Sequence, residues 1–160
     1  MPLIHLNKAG PTSTNTSLAP EKTIRIMDST LESVDSAESA ALDMARRCGF
    51  GKIIVEHIGL AVREIVTNAI VHGNRSDIQK KVVLTIRLTE REMRIIISDQ
   101  GDGFDPDRLS DPLSPEALLK SSGRGVYLAR TLMDEFRVQG RPAGGTAVTM
   151  VKYISSAGRP

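Results

Sequence analysis

The fold class is decided by Val82-Val83-Leu84-Thr85-Ile86-Arg87-Leu88, the link Thr89-Glu90-Arg91-Glu92, and Met93-Arg94-Ile95-Ile96-Ile97-Ser98-Asp99. Val82, Leu84, Ile86 and Leu88 recur at every second position, and Met93, Ile95 and Ile97 repeat that spacing. This is the period of a strand with one face buried. So short a link predicts an antiparallel hairpin.

Upstream, Ile24 and Ile26 alternate with Thr23 and Arg25, which predicts a short half-buried strand. Ser29-Thr30-Leu31-Glu32 has the form of a capping box. The helix it opens carries Leu31, Val34, Ala37, Ala41, Met44, Ala45 and Cys48 at helical spacing, with Gly49 as the stop. A second helix is expected from about Ile53 to His72, with Ile58, Val62, Ile65 and Ala69 inward and Gly73 ending it. Downstream, residues 100 to 122 hold three of the eight prolines and read as a long functional loop. A third helix, Val126 to Glu135, follows Gly123-Arg124-Gly125. Strands Arg137 to Gln139 and Thr146 to Ile154 flank a glycine-rich turn. The order β-α-α-β-β-loop-α-β-β predicts an α+β fold: a two-layer α/β sandwich with a mixed, mainly antiparallel sheet and three helices on one face.

The 160 residues are 40% hydrophobic and 25% charged, the composition of one globular domain. Residues 1 to 21 are largely polar and read as a disordered tail, 22 to 154 as the domain, and 155 to 160 as a flexible end. The single cysteine, Cys48, excludes an intramolecular disulfide and reads as a buried small hydrophobe. Lys and Arg number 21 against 19 Asp and Glu, and there is no Trp, with three Phe and two Tyr. That balance argues against nucleic acid as a direct ligand, because both a basic surface and stacking platforms are missing. No apolar run reaches the ~18 residues of a membrane span, so a cytoplasmic protein is expected.

Several common sites are excluded by their own requirements. There is no P-loop, and Gly101-Asp102-Gly103-Phe104-Asp105-Pro106 places proline where a dinucleotide fingerprint needs its third glycine. His5, His57 and His72 have no metal-ligand spacing. Three other elements can carry chemistry. Glu64 and Asn68, with His72 beyond, form a polar stripe on the second helix, suited to a base beside an oxygen ligand for a hard cation, or to a plain solvated face. Asp99 stands at a strand end, where a carboxylate can accept from an exocyclic amine while Gly101 and Gly103 let backbone approach a planar ligand. Gly123-Arg124-Gly125 opens a helix, where free amides and the positive dipole end favour phosphate.

Taken in order, these elements resemble a known family. Glu64-Ile65-Val66-Thr67-Asn68-Ala69-Ile70-Val71-His72-Gly73 resembles the N box of the ATPase superfamily of gyrase, heat-shock chaperones, histidine kinases and MutL. Asp99-Gln100-Gly101-Asp102-Gly103-Phe104 resembles its Asp-x-Gly-x-Gly box, Ser122-Gly123-Arg124-Gly125 its second glycine box, and Gly144-Gly145-Thr146 its terminal Gly-Thr element. The Asn-Ala-x-x-His-Gly form and Leu132-Met133-Asp134-Glu135 are similar to the anti-sigma factor serine kinases. The resemblance implies a Bergerat-type ATP-binding fold, ATP and Mg²⁺ as cofactors, and a sigma factor and an anti-sigma antagonist as partners, with a homodimer favoured. It implies Glu64 as general base, Asn68 on Mg²⁺, and Asp99 on the adenine amine with support from Thr146. Gly101 and Gly103 would line the base pocket, and Gly123, Arg124 and Gly125 would meet the phosphates under a lid of residues 105 to 122. One departure stands out: Ser121, beside Lys120, occupies the place where some members carry an arginine that reaches the γ-phosphate. A non-catalytic ATP-gated switch and a histidine kinase catalytic domain are the other readings. The second is disfavoured because about 20 tail residues are too few for a dimerisation and phosphoacceptor domain.

Overall fold

The computed structural model describes residues 20–103 and 121–155. The elements are β1 (Glu21–Asp28), α1 (Leu31–Arg47), α2 (Lys52–Asn68) continued by a π-helical turn (Ala69–Gly73), β2 (Lys81–Leu88), β3 (Glu92–Ser98), α3 (Ser121–Leu132), β4 (Glu135–Gly140) and β5 (Thr146–Tyr153). The five strands form one sheet in the order β1-β2-β3-β5-β4. Every pairing is antiparallel, so the expected mixed sheet is corrected to a uniform one. Two of the pairings, β2 with β3 and β4 with β5, are hairpins; β1 with β2 and β3 with β5 are antiparallel across helical connections. The proposed tail up to residue 19, residues 105–120 of the proposed lid and the end beyond Ser155 lie outside the described residues, and Ser121 and Ser122, expected in the lid, open α3 instead.

The hairpin of β2 and β3 forms as its alternation predicts. Val82, Leu84, Ile86, Leu88, Met93, Ile95 and Ile97 are all buried. Cross-strand pairing extends their rows: Ile86 faces Ile95, which faces Met150, which faces Phe136. Directly opposed residues share a face, so each row presents a continuous apolar ridge to the helices. Against it pack Val34, Ala37, Ala41, Met44 and Ala45 of α1 and Ile58, Ala61, Val62 and Ile65 of α2. Helix α2 contacts both α1 and α3, which makes it the central helix. Arg63 ties it to α1 through Asp35 and Glu38, at 2.6 and 2.8 Å.

Strand β1 overturns one expectation. Ile24 and Ile26 are 53% and 72% exposed, while Met27 is buried. The cause is register: Met27 pairs with Val82 and Arg25 with Leu84, so the odd-numbered residues of β1 share the buried face of β2. Arg25 uses that face at the sheet edge to donate to Ser36 Oγ of α1 at 2.9 Å. The capping box is also corrected. Thr30 is the N-cap, without a side-chain cap bond, and Ser29 Oγ donates to Lys80 O at 2.8 Å. Leu31, expected inward, is exposed.

The third helix ends at Leu132, three residues short of expectation, and Glu135 already belongs to β4. Asp134 makes the break. Its N–H donates to Val151 O at 2.9 Å, and its carboxylate accepts from Lys152 Nζ at 2.9 Å and from the N–H of Tyr153 at 2.7 Å. Lys152 also donates to Leu132 O, so a cation closes the helix C-terminus.

Cys48 is buried as expected, and burial pushes its thiol pKa up to about 11. At about pH 8 only about one thiol in a thousand is ionised, so native protein should alkylate far more slowly than denatured protein, as followed by mass spectrometry. The folded state keeps this proton to higher pH than the unfolded chain, whose value is 9.0. Stability is therefore expected to fall as pH rises from about 9 to about 11.

Candidate nucleotide site

Asp99 is 6% exposed at the end of β3. Its Oδ1 accepts two backbone N–H groups, from Gly101 at 2.9 Å and Thr146 at 3.0 Å. Its own N–H donates to Thr146 O at 3.0 Å, and its carbonyl accepts from Arg141 Nη1 at 2.8 Å. Among the described residues both hydrogen bonds to the carboxylate fall on Oδ1. Thr146 meets this carboxylate through its backbone, which carries no residue signature. Arg141 escapes sequence reasoning for the same reason: it braces a carbonyl.

The surroundings of Asp99 are shaped by missing side chains. A Cβ on Gly73 would stand 2.6 Å from both Asp99 Cγ and Oδ2, and one on Gly101 would collide with the Gly73 carbonyl. A Cβ on Gly145 would strike the Asp99 carbonyl. Gly103 lies against Gly145 with more room, at 3.4 Å. Three loops distant in sequence therefore meet at van der Waals closeness around one carboxylate.

The second helix ends differently from expectation. Its α-helical hydrogen bonding stops at Asn68, and the N–H of Asn74 reaches back five residues to Ala69 O at 2.8 Å. Such π turns occur mostly as single turns at functional sites. His72 lies exposed within this wider turn, which brings Gly73 against Asp99. Arg75 and Ser76 follow with φ of 55° and 56°, an uncommon left-handed pair for non-glycine residues. Arg75 then pairs with Asp102 at 2.6 Å, linking this turn to the Asp99 loop.

Glu64 and Asn68 are half-buried on α2. Asn68 Nδ2 is buried with no hydrogen-bond partner among the described residues, the condition of a group whose partner is a ligand. Glu64 faces α3, where a Cβ on Gly125 would collide with its Oε2. Gly125 thus makes room for the carboxylate. The Gly123-Arg124-Gly125 element does not precede α3 as expected. The helix starts at Ser121, so Gly123 and Arg124 lie in its first turn, where N–H groups lack intrahelical partners. Arg124 is exposed, and Lys120 lies outside the described residues.

The description "Histidine kinase-like ATPase domain" fits residues 27–152 of this chain, which include every candidate site residue. The chain belongs to that family. It is 35% identical over 118 residues to the serine-protein kinase RsbW of Bacillus subtilis, covering 70% of this chain and 72% of that protein. This places it with the RsbW serine-protein kinases inside the histidine kinase-like ATPases. The anti-sigma F factor of Shouchella clausii is 37% identical over 99 residues, 59% of this chain and 66% of the relative. Among solved structures, the RsbU and RsbW domains of a Mycobacterium tuberculosis protein superpose with a TM-score of 0.62 at 21% identity. That match covers 88% of this chain and 33% of the other. The mycobacterial sensor histidine kinase MprB superposes at 0.53 with 20% identity, covering 86% and 99%. These two likenesses concern the fold. Membership in the histidine kinase-like ATPases makes ATP the nucleotide. In the described residues no helix is long and apolar enough to cross a membrane.

Proposed function

We propose that this chain is an ATP-dependent protein serine kinase that acts as an anti-sigma factor in the cytoplasm, holding a sigma factor and phosphorylating an antagonist protein on serine. The observation that carries the nucleotide part is the Asp99 carboxylate, buried, fixed through Oδ1 and enclosed by Gly73, Gly101 and Gly145. Such a group selects the 6-amino group of adenine over the 6-oxo group that guanine carries at the same position. The partner part rests on the names of the relatives, a serine-protein kinase and an anti-sigma F factor. A homodimer belongs to the same proposal.

In this reading Asp99 accepts from the adenine amine, and Gly101 and Gly103 face the ring. The first turn of α3, with Gly123, Arg124 and the neighbouring Gly125, receives the phosphates. Asn68 would hold Mg²⁺. Its Oδ1 is the atom that could ligate the ion, while the buried, unpartnered Nδ2 donor fits a phosphate oxygen, and such an ion takes few protein ligands beside phosphate and water. When bound, the ion supplies charge neutralisation at the β- and γ-phosphate oxygens. Glu64 takes the proton from the partner's serine hydroxyl as the serine oxygen bonds to the γ-phosphorus and the bond to the ADP oxygen breaks. Positioning and electrostatics suffice for this reaction, with no covalent nucleophile from the enzyme.

Ser121, at the place of the lid arginine, favours a second reading: a switch that binds ATP and a partner without transfer. Arg124 and Lys120 are the cations at hand, and neither equals a bidentate guanidinium at that place. Incubation with Mg-ATP and the antagonist decides between the two. Phosphoserine on the antagonist, found by mass spectrometry, is the expected result; ATP binding without phosphoserine would leave the switch. No binding at millimolar nucleotide would overturn both.

A further inference from the structure

The side chain most completely engaged near the nucleotide site is not one of its expected members. Asn74 is 0% exposed. Its Nδ2 donates to Ser29 Oγ at 2.8 Å and to Lys81 O at 3.0 Å, and its Oδ1 accepts from the Gln100 N–H at 2.8 Å. These partners fix the amide's orientation, because a carbonyl needs the nitrogen and an N–H needs the oxygen. Gln100 Oε1 in turn accepts from the Lys81 N–H at 2.6 Å, so the loop is tied to the start of β2 twice.

We propose that Asn74 is a positioning residue for adenine selectivity, acting through the peptide that joins Asp99 to Gln100. This rests on the nucleotide reading of the site. The Gln100 N–H belongs to the peptide whose carbonyl carbon is that of Asp99, and the next amide, Gly101 N–H, holds Asp99 Oδ1. The carbonyl of this peptide is held by Arg141 at 2.8 Å, so releasing the Gln100 N–H leaves the plane pinned at one end only, free to tilt about that contact and carry the Gly101 N–H away from Oδ1. The carboxylate then loses one of its two anchors, and Oδ2 is no longer held in one direction. A fixed acceptor discriminates sharply between a 6-amino and a 6-oxo purine; a rotating one discriminates weakly, because alignment is what gives a hydrogen bond its strength. Serine 29, lysine 81 and glutamine 100 sit at three different element boundaries, so a single buried amide transmits their relative placement to the site.

The test is the ratio of ATP to ITP affinity, measured by calorimetry well below each variant's melting temperature. Wild type is expected to prefer ATP, and Asn74→Ala to lose on the order of tenfold of that preference, the worth of one hydrogen bond to a charged group. Val34→Ala, a core truncation in α1, should lower the melting temperature and leave the ratio unchanged. Should the alanine variant not fold, Asn74→Ser, too short to reach Gln100, carries the same expectation. In wild type without nucleotide, the Gln100 amide should exchange slowly with deuterated solvent. An unchanged ratio in either folded variant, or rapid exchange at Gln100, would overturn the proposal. Wild type that binds no ATP would instead overturn the nucleotide reading.

Discussion

Replacing Glu64 with alanine is expected to lower phosphotransfer to serine by about a hundred- to ten-thousandfold, the range of a lost general base, while ATP still binds. The argument is one of position. Glu64 is held on the central helix, and its carboxylate lies against α3 at Gly125, on the helix whose first turn faces the phosphates in the proposed pose. Adenine recognition is assigned to the distinct Asp99 cluster, so binding and transfer should separate. Glu64→Gln keeps the length and the contact with Gly125 but cannot take a proton. A kinase assay with both variants, beside a nucleotide titration, checks this: equal loss in the two supports base function. Transfer retained in Glu64→Gln would remove that role.

For Asp99→Asn, ATP affinity should fall on the order of a hundredfold, from the loss of a charge-assisted bond together with a donor facing a donor. The structure decides which way the new amide turns. The Gly101 and Thr146 N–H groups both point at the Oδ1 position, so the carbonyl oxygen of the asparagine must stay there. Its NH₂ is left at the Oδ2 position, beside Gly73 and, in the proposed pose, the adenine amine. It then repels the adenine amine and suits the 6-oxo group of hypoxanthine. ITP should consequently lose far less affinity than ATP, and the preference should invert. Calorimetric titration with both nucleotides reads this directly, and a proportionate loss for both would remove Asp99 from base recognition.

The parts of the fold that could be read in sequence were those with a local period. The β2–β3 hairpin and the inward faces of α1 and α2 needed only alternation and helical spacing, since burial on one side imposes them. β1 could not be read that way. Ile24 and Ile26 have the right chemistry for an inward face, but their side is dictated by pairing with β2. The end of α2 could not be read for a related reason: a π turn leaves no compositional mark, so α-helix was expected to run to His72 rather than stop at Asn68. In the site, Glu64, Asn68 and Asp99 were visible as unusual polar residues at element positions. Arg141 and Asn74 were not, because each serves the backbone of a distant residue.

The sequence alone determined the element order, the two layers and the four glycine and acidic elements whose succession marks the histidine kinase-like ATPases, because these depend on residue type and near-neighbour spacing. Tertiary structure decided which face of β1 is buried, that Gly125 makes room for Glu64, and which Asp99 oxygen is held. Those outcomes depend on register, packing and hydrogen bonds between residues far apart in sequence, as in Met27 with Val82, Gly125 with Glu64 and Thr146 with Asp99. No local pattern encodes such a pairing; it arises only once packing of the apolar rows has fixed where each strand begins and ends.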